Sequence, residues 1–259
     1  MKGKIKLILG LTLSLLLVLA SCKKETTLQP VQSAMTMVID NDISLLTKSE
    51  KEITFDSGYV YVNKVTFYGE LKNDDNTKHG DMDNNDDDKE ITQNIDVNSR
   101  INLATGDYQV PITFELNQAN YDDIKFIIGL NSGNGYPAIE VYGTYYDVNG
   151  NPVPVALVYN DSVSIKVKLD DDNDDIDEDL VVADSVPAFV IHVSPAKWFK
   201  DVNSDMLENA TRVNGVILIN DTTNVNILQA ILPNIGKESK MEYEDKKDFD
   251  REFHQENDD

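Results

Sequence analysis

Along most of the chain apolar and polar residues alternate one for one. In SVSIKVKL, Val163, Ile165, Val167 and Leu169 alternate with Ser162, Ser164, Lys166 and Lys168, as a strand with one buried and one wet face requires. The same period fits IKFIIGL from Ile124 and AIEVYGTYY from Ala138, and further strands are expected at AMTMVID, GYVYVNKVTFYGEL, YQVPITFEL, VPVALVY, VPAFVIHV and NGVILIN. Asn149-Gly150 is a strong hairpin signal, so strands at 138–146 and 153–159 are expected to pair antiparallel. NSGNGYP, from Asn131 to Pro137, reads as a wider loop. Helix is sparse: SDMLENA near Ser204 is expected to form a turn or two, and VNILQAIL after Thr223 or Asn224 a short capped helix ended by Pro233. About ten strands with short connections predict an all-β fold, an antiparallel β-sandwich. It is expected over 34–235, as one sandwich or as two small ones split near 131–137.

Charge adds long acidic loops to this picture. The net charge is −23, and it is unevenly spread: Asn73 to Glu90 holds eight acids and two lysines, Asp170 to Asp179 eight acids and no base, and Lys237 to Asp259 ten acids and five bases. Such a surface repels nucleic acid, which is excluded as a partner. The tail, 236–259, is expected to be disordered, because Met241, Tyr243, Phe249 and Phe253 do not make a continuous helical face.

The N-terminus has the three regions of a secretory signal: Lys2, Lys4 and Lys6, an apolar run from Leu7 to Leu19, then small residues. The run is too short for an ordinary membrane-spanning helix, which needs about 20 apolar residues. Leu19-Ala20-Ser21-Cys22 resembles a lipobox, the cleavage and acylation signal of bacterial lipoproteins. That resemblance implies removal of residues 1–21, lipidation of Cys22 and a membrane partner reached through the lipid. Cys22 is the only cysteine, so no disulfide can form within one chain. Lys23 and Lys24 follow it in place of the Asp of an inner-membrane retention signal, which points to the outer membrane, on either its periplasmic or its outward side. Residues 22–33 read as a lipidated tether. Beyond it, the layout resembles envelope lipoproteins that carry a transthyretin-like or immunoglobulin-like sandwich.

Candidate chemistry centres on the acidic loops. Calcium takes six to eight oxygen ligands, and closely spaced Asp and Asn side chains on a turning backbone supply several. Asp81, Asp83 and Asn85 match the first, third and fifth positions of an EF-hand loop, with Asp87 beside them, and Asp170, Asp172 and Asp174 match them again. Neither loop is an EF-hand: the sixth position is Asp86 or Asp175 where the turn needs Gly, and the twelfth is Thr92 or Val181 where a Glu closes the site. A calcium site therefore requires the two loops to meet; if they do not, each is a solvated acidic insertion that aids solubility. His192 reads as a strand histidine, and no zinc spacing, GxSxG or P-loop is present.

Tyr142 and Tyr146 should share a strand face with Glu140 and Thr144, opposite Ile139, Val141 and Tyr145. On an exposed face they suit stacking on sugar rings or a protein interface, and cross-strand packing accounts for the same pattern. Trp198 is expected to plug one end of the sandwich. Asp161-Ser162-Val163, Asp184-Ser185-Val186 and Asp221-Thr222-Thr223 resemble acceptor triplets of an O-glycosylation system of some bacterial envelopes. The leading expectation is a non-enzymatic, outer-membrane-anchored sandwich that binds a polysaccharide or envelope protein, with calcium stiffening its loops. The alternatives are an enzyme using paired carboxylates or a metal on a glycan, and a passive structural subunit.

Overall fold

The computed structural model describes residues 30–40, 53–71, 89–103, 112–169, 180–182, 187–237 and 239–245. Among them are thirteen strands: β1 (Pro30–Ile39), β2 (Ile53–Leu71), β3 (Lys89–Asn102), β4 (Ile112–Asn117), β5 (Ala119–Leu130), β6 (Ile139–Tyr146), β7 (Pro152–Tyr159), β8 (Val163–Lys168), β9 (Leu180–Val182), β10 (Pro187–Val193), β11 (Arg212–Val213), β12 (Val216–Ile219) and β13 (Lys240–Asp245). Three short helices accompany them: α1 (Pro195–Trp198), α2 (Ser204–Glu208) and α3 (Val225–Ile231). The fold is all-β and sandwich-like, as the alternation predicts. Four strands form a small sheet in the order β13-β10-β1-β4, and nine form a large one, β11-β12-β7-β6-β2-β5-β8 with β3 on β2 and β9 on β5. Two pairings are parallel, β1 with β10 and β7 with β12; alternation fixes which side chains face inward but not strand direction.

β2 organises the large sheet. One edge carries β3, while the other carries β6 along Ile53–Val60 and β5 along Val62–Leu71. The sheet thus branches, and residues 131–137 lead from β5 to its neighbour along the same edge. At the branch the register slips between Val62 and Lys64 on both sides, and Asn98 of β3 takes a left-handed φ of 51°. A bulge of this kind bends the strand and twists an otherwise long free edge away from regular pairing. Tyr61 pins it: its hydroxyl donates to the Asn98 carbonyl at 3.0 Å and accepts from Asn134 Nδ2 at 2.7 Å. The 131–137 loop is folded over that ring, since a Cβ on Gly133 would lie 2.5 Å from Tyr61. Its tip, Asn134-Gly135, has φ of 53° and 83°, and Gly133 and Tyr136 exchange both backbone bonds, the geometry of a two-residue type I′ hairpin.

Alternation becomes packing where the sheets face each other. Phe114 and Phe189 of the small sheet meet Phe126 of the large one, with ring centroids 5.8 and 5.0 Å apart, and Phe67 lies 5.4 Å from Phe126. Burying one such side chain contributes about 1.5–3 kcal/mol. The other branch is covered from within by the helical segment: Trp198 is fully buried, Phe199 packs on Phe55 at 5.2 Å, and Ile227 and Ile231 join the same core. The facing sides of both sheets are thus occupied by packed side chains.

The molecule has two distinct ends. At one, Pro30 of β1 pairs with Asn117, whose carbonyl accepts from the Tyr121 hydroxyl at 2.9 Å. Leu71 and Leu180 pair with Tyr121 there, so the stems of both acidic loops share this end with the start of β1. Toward the other end, Ile39 N–H donates to the Leu103 carbonyl and Leu103 N–H to that of Gly58. From Leu71 to Tyr59, β2 runs about 40 Å at 3.3 Å per residue.

Several expectations are corrected. The 22–33 tether ends earlier, because β1 begins at Pro30 and Ser33 is fully buried. The tail is not disordered throughout: β13 pairs antiparallel with β10 and Met241 is 1% exposed, a strand period that a search for a helical face passes over. The rest of the tail, 246–259, lies outside the described residues. Asn224 starts α3 but does not cap it with its side chain; the amide instead holds the Thr211 and Leu218 carbonyls at 2.9 and 2.7 Å.

Candidate functional site

β6 has the predicted parity. Ile139, Val141 and Tyr145 are fully buried, whereas Tyr142 and Tyr146 are 38% and 46% exposed on the opposite face. Cross-strand register sets their neighbours: Tyr142 lies between Ser57 of β2 and Ala156 of β7, Thr144 meets Pro154, and Tyr146 meets Pro152. Leu218 of β12 extends the Tyr142 row beyond Ala156. Among the described residues the exposed large apolar side chains are Tyr136, Tyr142, Tyr146, Val148, Val213 and Val225. Tyr142 and Tyr146 lie on β6, Val148 in the β6–β7 turn, Val213 on β11, Tyr136 in the hairpin that leads into β6, and Val225 at the start of α3.

A polar relay fixes the tyrosines. Tyr59 and Glu140 are direct cross-strand partners. The Arg100 guanidinium lies 3.6 Å from the Tyr59 ring centroid and 4.5 Å from that of Tyr136, and it donates to Glu140 at 2.8 Å. Such stacking on an aromatic face adds about 0.5–1 kcal/mol at exposed sites. The Tyr142 hydroxyl donates to the other Glu140 oxygen. That bond, then partial burial, pushes the Tyr142 hydroxyl up to about 12, because the phenolate would face a carboxylate. One positive and one negative group thus cancel within a frame of three tyrosines.

Elsewhere the outer face differs. Lys125 and Lys168 stand opposite each other across β5 and β8, and both lie on Asp123. Its carboxyl is held below the usual carboxylate range, chiefly by the hydrogen bond from Lys168.

The remaining sequence candidates fall differently. Cys22, Asp81, Asp83, Asn85, Asp87, Asp170, Asp172 and Asp174 lie outside the described residues. Among the described residues no three His, Cys, Asp or Glu side chains converge on a metal position. His192 is half-buried and shares a face of β10 with Ala188 and Val190, both buried, opposite the fully buried Phe189, Ile191 and Val193. Ser162 and Thr222 are exposed in turns, and Ser185 lies outside the described residues.

Sequence reasoning placed Glu140 beside the tyrosines but missed Tyr59, Arg100 and Tyr136. Tyr59 lay within an expected strand whose register to β6 was unknown. β3 was not read at all, although Ile91, Ile95 and Val97 alternate with Thr92, Asn94 and Asp96, because Gln93 interrupts the apolar side. Compared with known proteins, the chain matches no family model, no curated protein and no solved structure, so its site is interpreted from its own geometry.

Proposed function

We propose that the chain is a lipoprotein anchored to the outer membrane through Cys22, whose sandwich binds an envelope polysaccharide or protein and has no enzymatic role. The observation that carries this reading is the exposure of Tyr142 and Tyr146 on the outer face of β6, with exposed Tyr136 joined to that face through Arg100, since exposed apolar surface rimmed by polar groups marks interaction sites. The lipobox-like Leu19-Ala20-Ser21-Cys22 supports the anchor. With β1 starting at Pro30, the residues between Cys22 and the fold span at most about 25 Å. Calcium is the candidate ligand of the acidic loops, supported by the shared position of their stems beside Tyr121.

The test uses the full-length chain in detergent over immobilised outer-membrane extract. The wild type is retained and Tyr142→Ala with Tyr146→Ala is not, while both melt alike; no retention of the wild type removes the binding function. In cells, Cys22→Ala leaves the membrane fraction, and an unchanged distribution removes the anchor.

A further inference from the structure

Building on the binding function proposed above, we infer that the face around Tyr142 is a site for an uncharged oligosaccharide. A sugar ring offers two kinds of surface, a C–H face that packs on aromatic rings and a rim of hydroxyls that pairs with planar polar groups. Both complements are present. Tyr142 supplies an exposed ring whose hydroxyl is already committed to Glu140. Beside it, Glu140 and Arg100 keep 21% and 29% of their side chains accessible, with Ser57 and Thr144 on the same face.

The site is also set before any ligand arrives. Arg100 is held by Tyr59, Tyr136 and Glu140, and Tyr136 in turn by the hairpin over Tyr61. Tyrosine has few rotatable bonds, so a fixed tyrosine surface costs little conformational entropy on binding. A longer ligand is favoured over a single ring, since Tyr146 lies four residues along the strand from Tyr142, about 13 Å. Its flank is lined by Pro152 and Pro154, both exposed, which add apolar surface with no N–H to satisfy.

Charge selects an uncharged ligand. An anionic polysaccharide needs a free cation at the face to pair with its charge. Arg100 offers none, because Glu140 already neutralises it. A neutral chain needs no such partner. The position is open as well: the site lies far along β2 from the end where the fold begins at Pro30, so a tether attached there leaves it clear.

The experiment is calorimetric titration of the full-length chain in detergent with neutral oligosaccharides of glucose, mannose and galactose, and with oligogalacturonate as the acidic probe. A neutral oligosaccharide binds, Tyr142→Ala weakens it by roughly ten-fold or more, as loss of a central aromatic contact does, and Tyr142→Phe, which keeps the ring, stays within a few-fold of wild type. Thermal melts of all three proteins check that each is folded. If no neutral oligosaccharide binds while the outer-membrane extract still retains the chain, the saccharide assignment is overturned and the binding function stands. If neither binds, both fall. Binding of oligogalacturonate alone, or neutral binding unaffected by Tyr142→Ala, also overturns the assignment.

Discussion

Leu71 and Leu180 stand opposite the same residue, each paired with Tyr121 from its own side of β5. With strands about 4.8 Å apart, the last described residue before one acidic segment and the first after the other are separated by roughly 10 Å. Calcium that draws ligands from both segments links two strands of one sheet, and so stabilises the folded chain by mass action. We expect the melting temperature of the full-length chain to rise with calcium and saturate in roughly the millimolar range of extracellular modules. Asp83→Asn with Asp172→Asn removes most of that rise. A flat response for the wild type ends the calcium reading.

The Tyr142–Glu140 bond has an alkaline signature. Tyr142 is raised to about 12 against an ordinary tyrosine value of about 10. A raised folded value means that the contribution is complete below the ordinary value and is lost as pH climbs through the raised one. In a spectrophotometric titration, Tyr142 should ionise late among the exposed tyrosines. Glu140→Gln should bring that step back toward the ordinary range, and an unshifted curve would show that the bond is not made in solution.

Tyr145 ties the candidate face to the helical segment. Its ring is fully buried and its hydroxyl donates to Glu208 Oε1 at 2.7 Å, the same oxygen that accepts Val148 N–H at 2.8 Å. Tyr145→Phe fills the same space and loses a hydrogen bond to a charged group, costing about 1.5–3 kcal/mol. Chemical denaturation should show a lower midpoint with an unchanged slope. An unchanged midpoint contradicts the contact.

Gly143 is a steric requirement. A Cβ there would lie 1.9 Å from the Thr54 carbonyl oxygen and 2.9 Å from the Phe55 ring, so Gly143→Ala forces β2 and β6 apart. The expected loss is about 1–3 kcal/mol or more. Gly150, with φ of 78° and open space around it, is the control: Gly150→Ala bears only the backbone cost of about 1–2 kcal/mol. A Gly143→Ala midpoint as high as the wild type's would refute the close approach.

Much of the architecture was legible because period-two alternation is local. β6, β7, β8, β10 and β12 fall within a residue or two of the expected strands, and Asn149-Gly150 announced the β6–β7 hairpin. What escaped depends on partners distant in sequence. β3 reads as polar until Ile95 is seen opposite Val65. β13 reads as a charged tail until Met241 finds Ile191. Tyr142 and Tyr146 were legible as one face, but Arg100 joins Glu140 across 40 positions, through a register that bulges in β2 alter. No local pattern encodes that distance.

The parallel pairing of β1 with β10 sets an order of assembly. Ala34 through Ile39 lie against Ala188 through Val193, so the first strand cannot be completed until about three quarters of the chain has emerged from the ribosome. Contacts between residues so far apart form slowly, because loop-closure entropy must be overcome before they reward it. β2, β3 and β5 pair among themselves within the first half of the chain, so much of the large sheet can form early, whereas the small sheet stays open on one side of β1 until β10 has arrived.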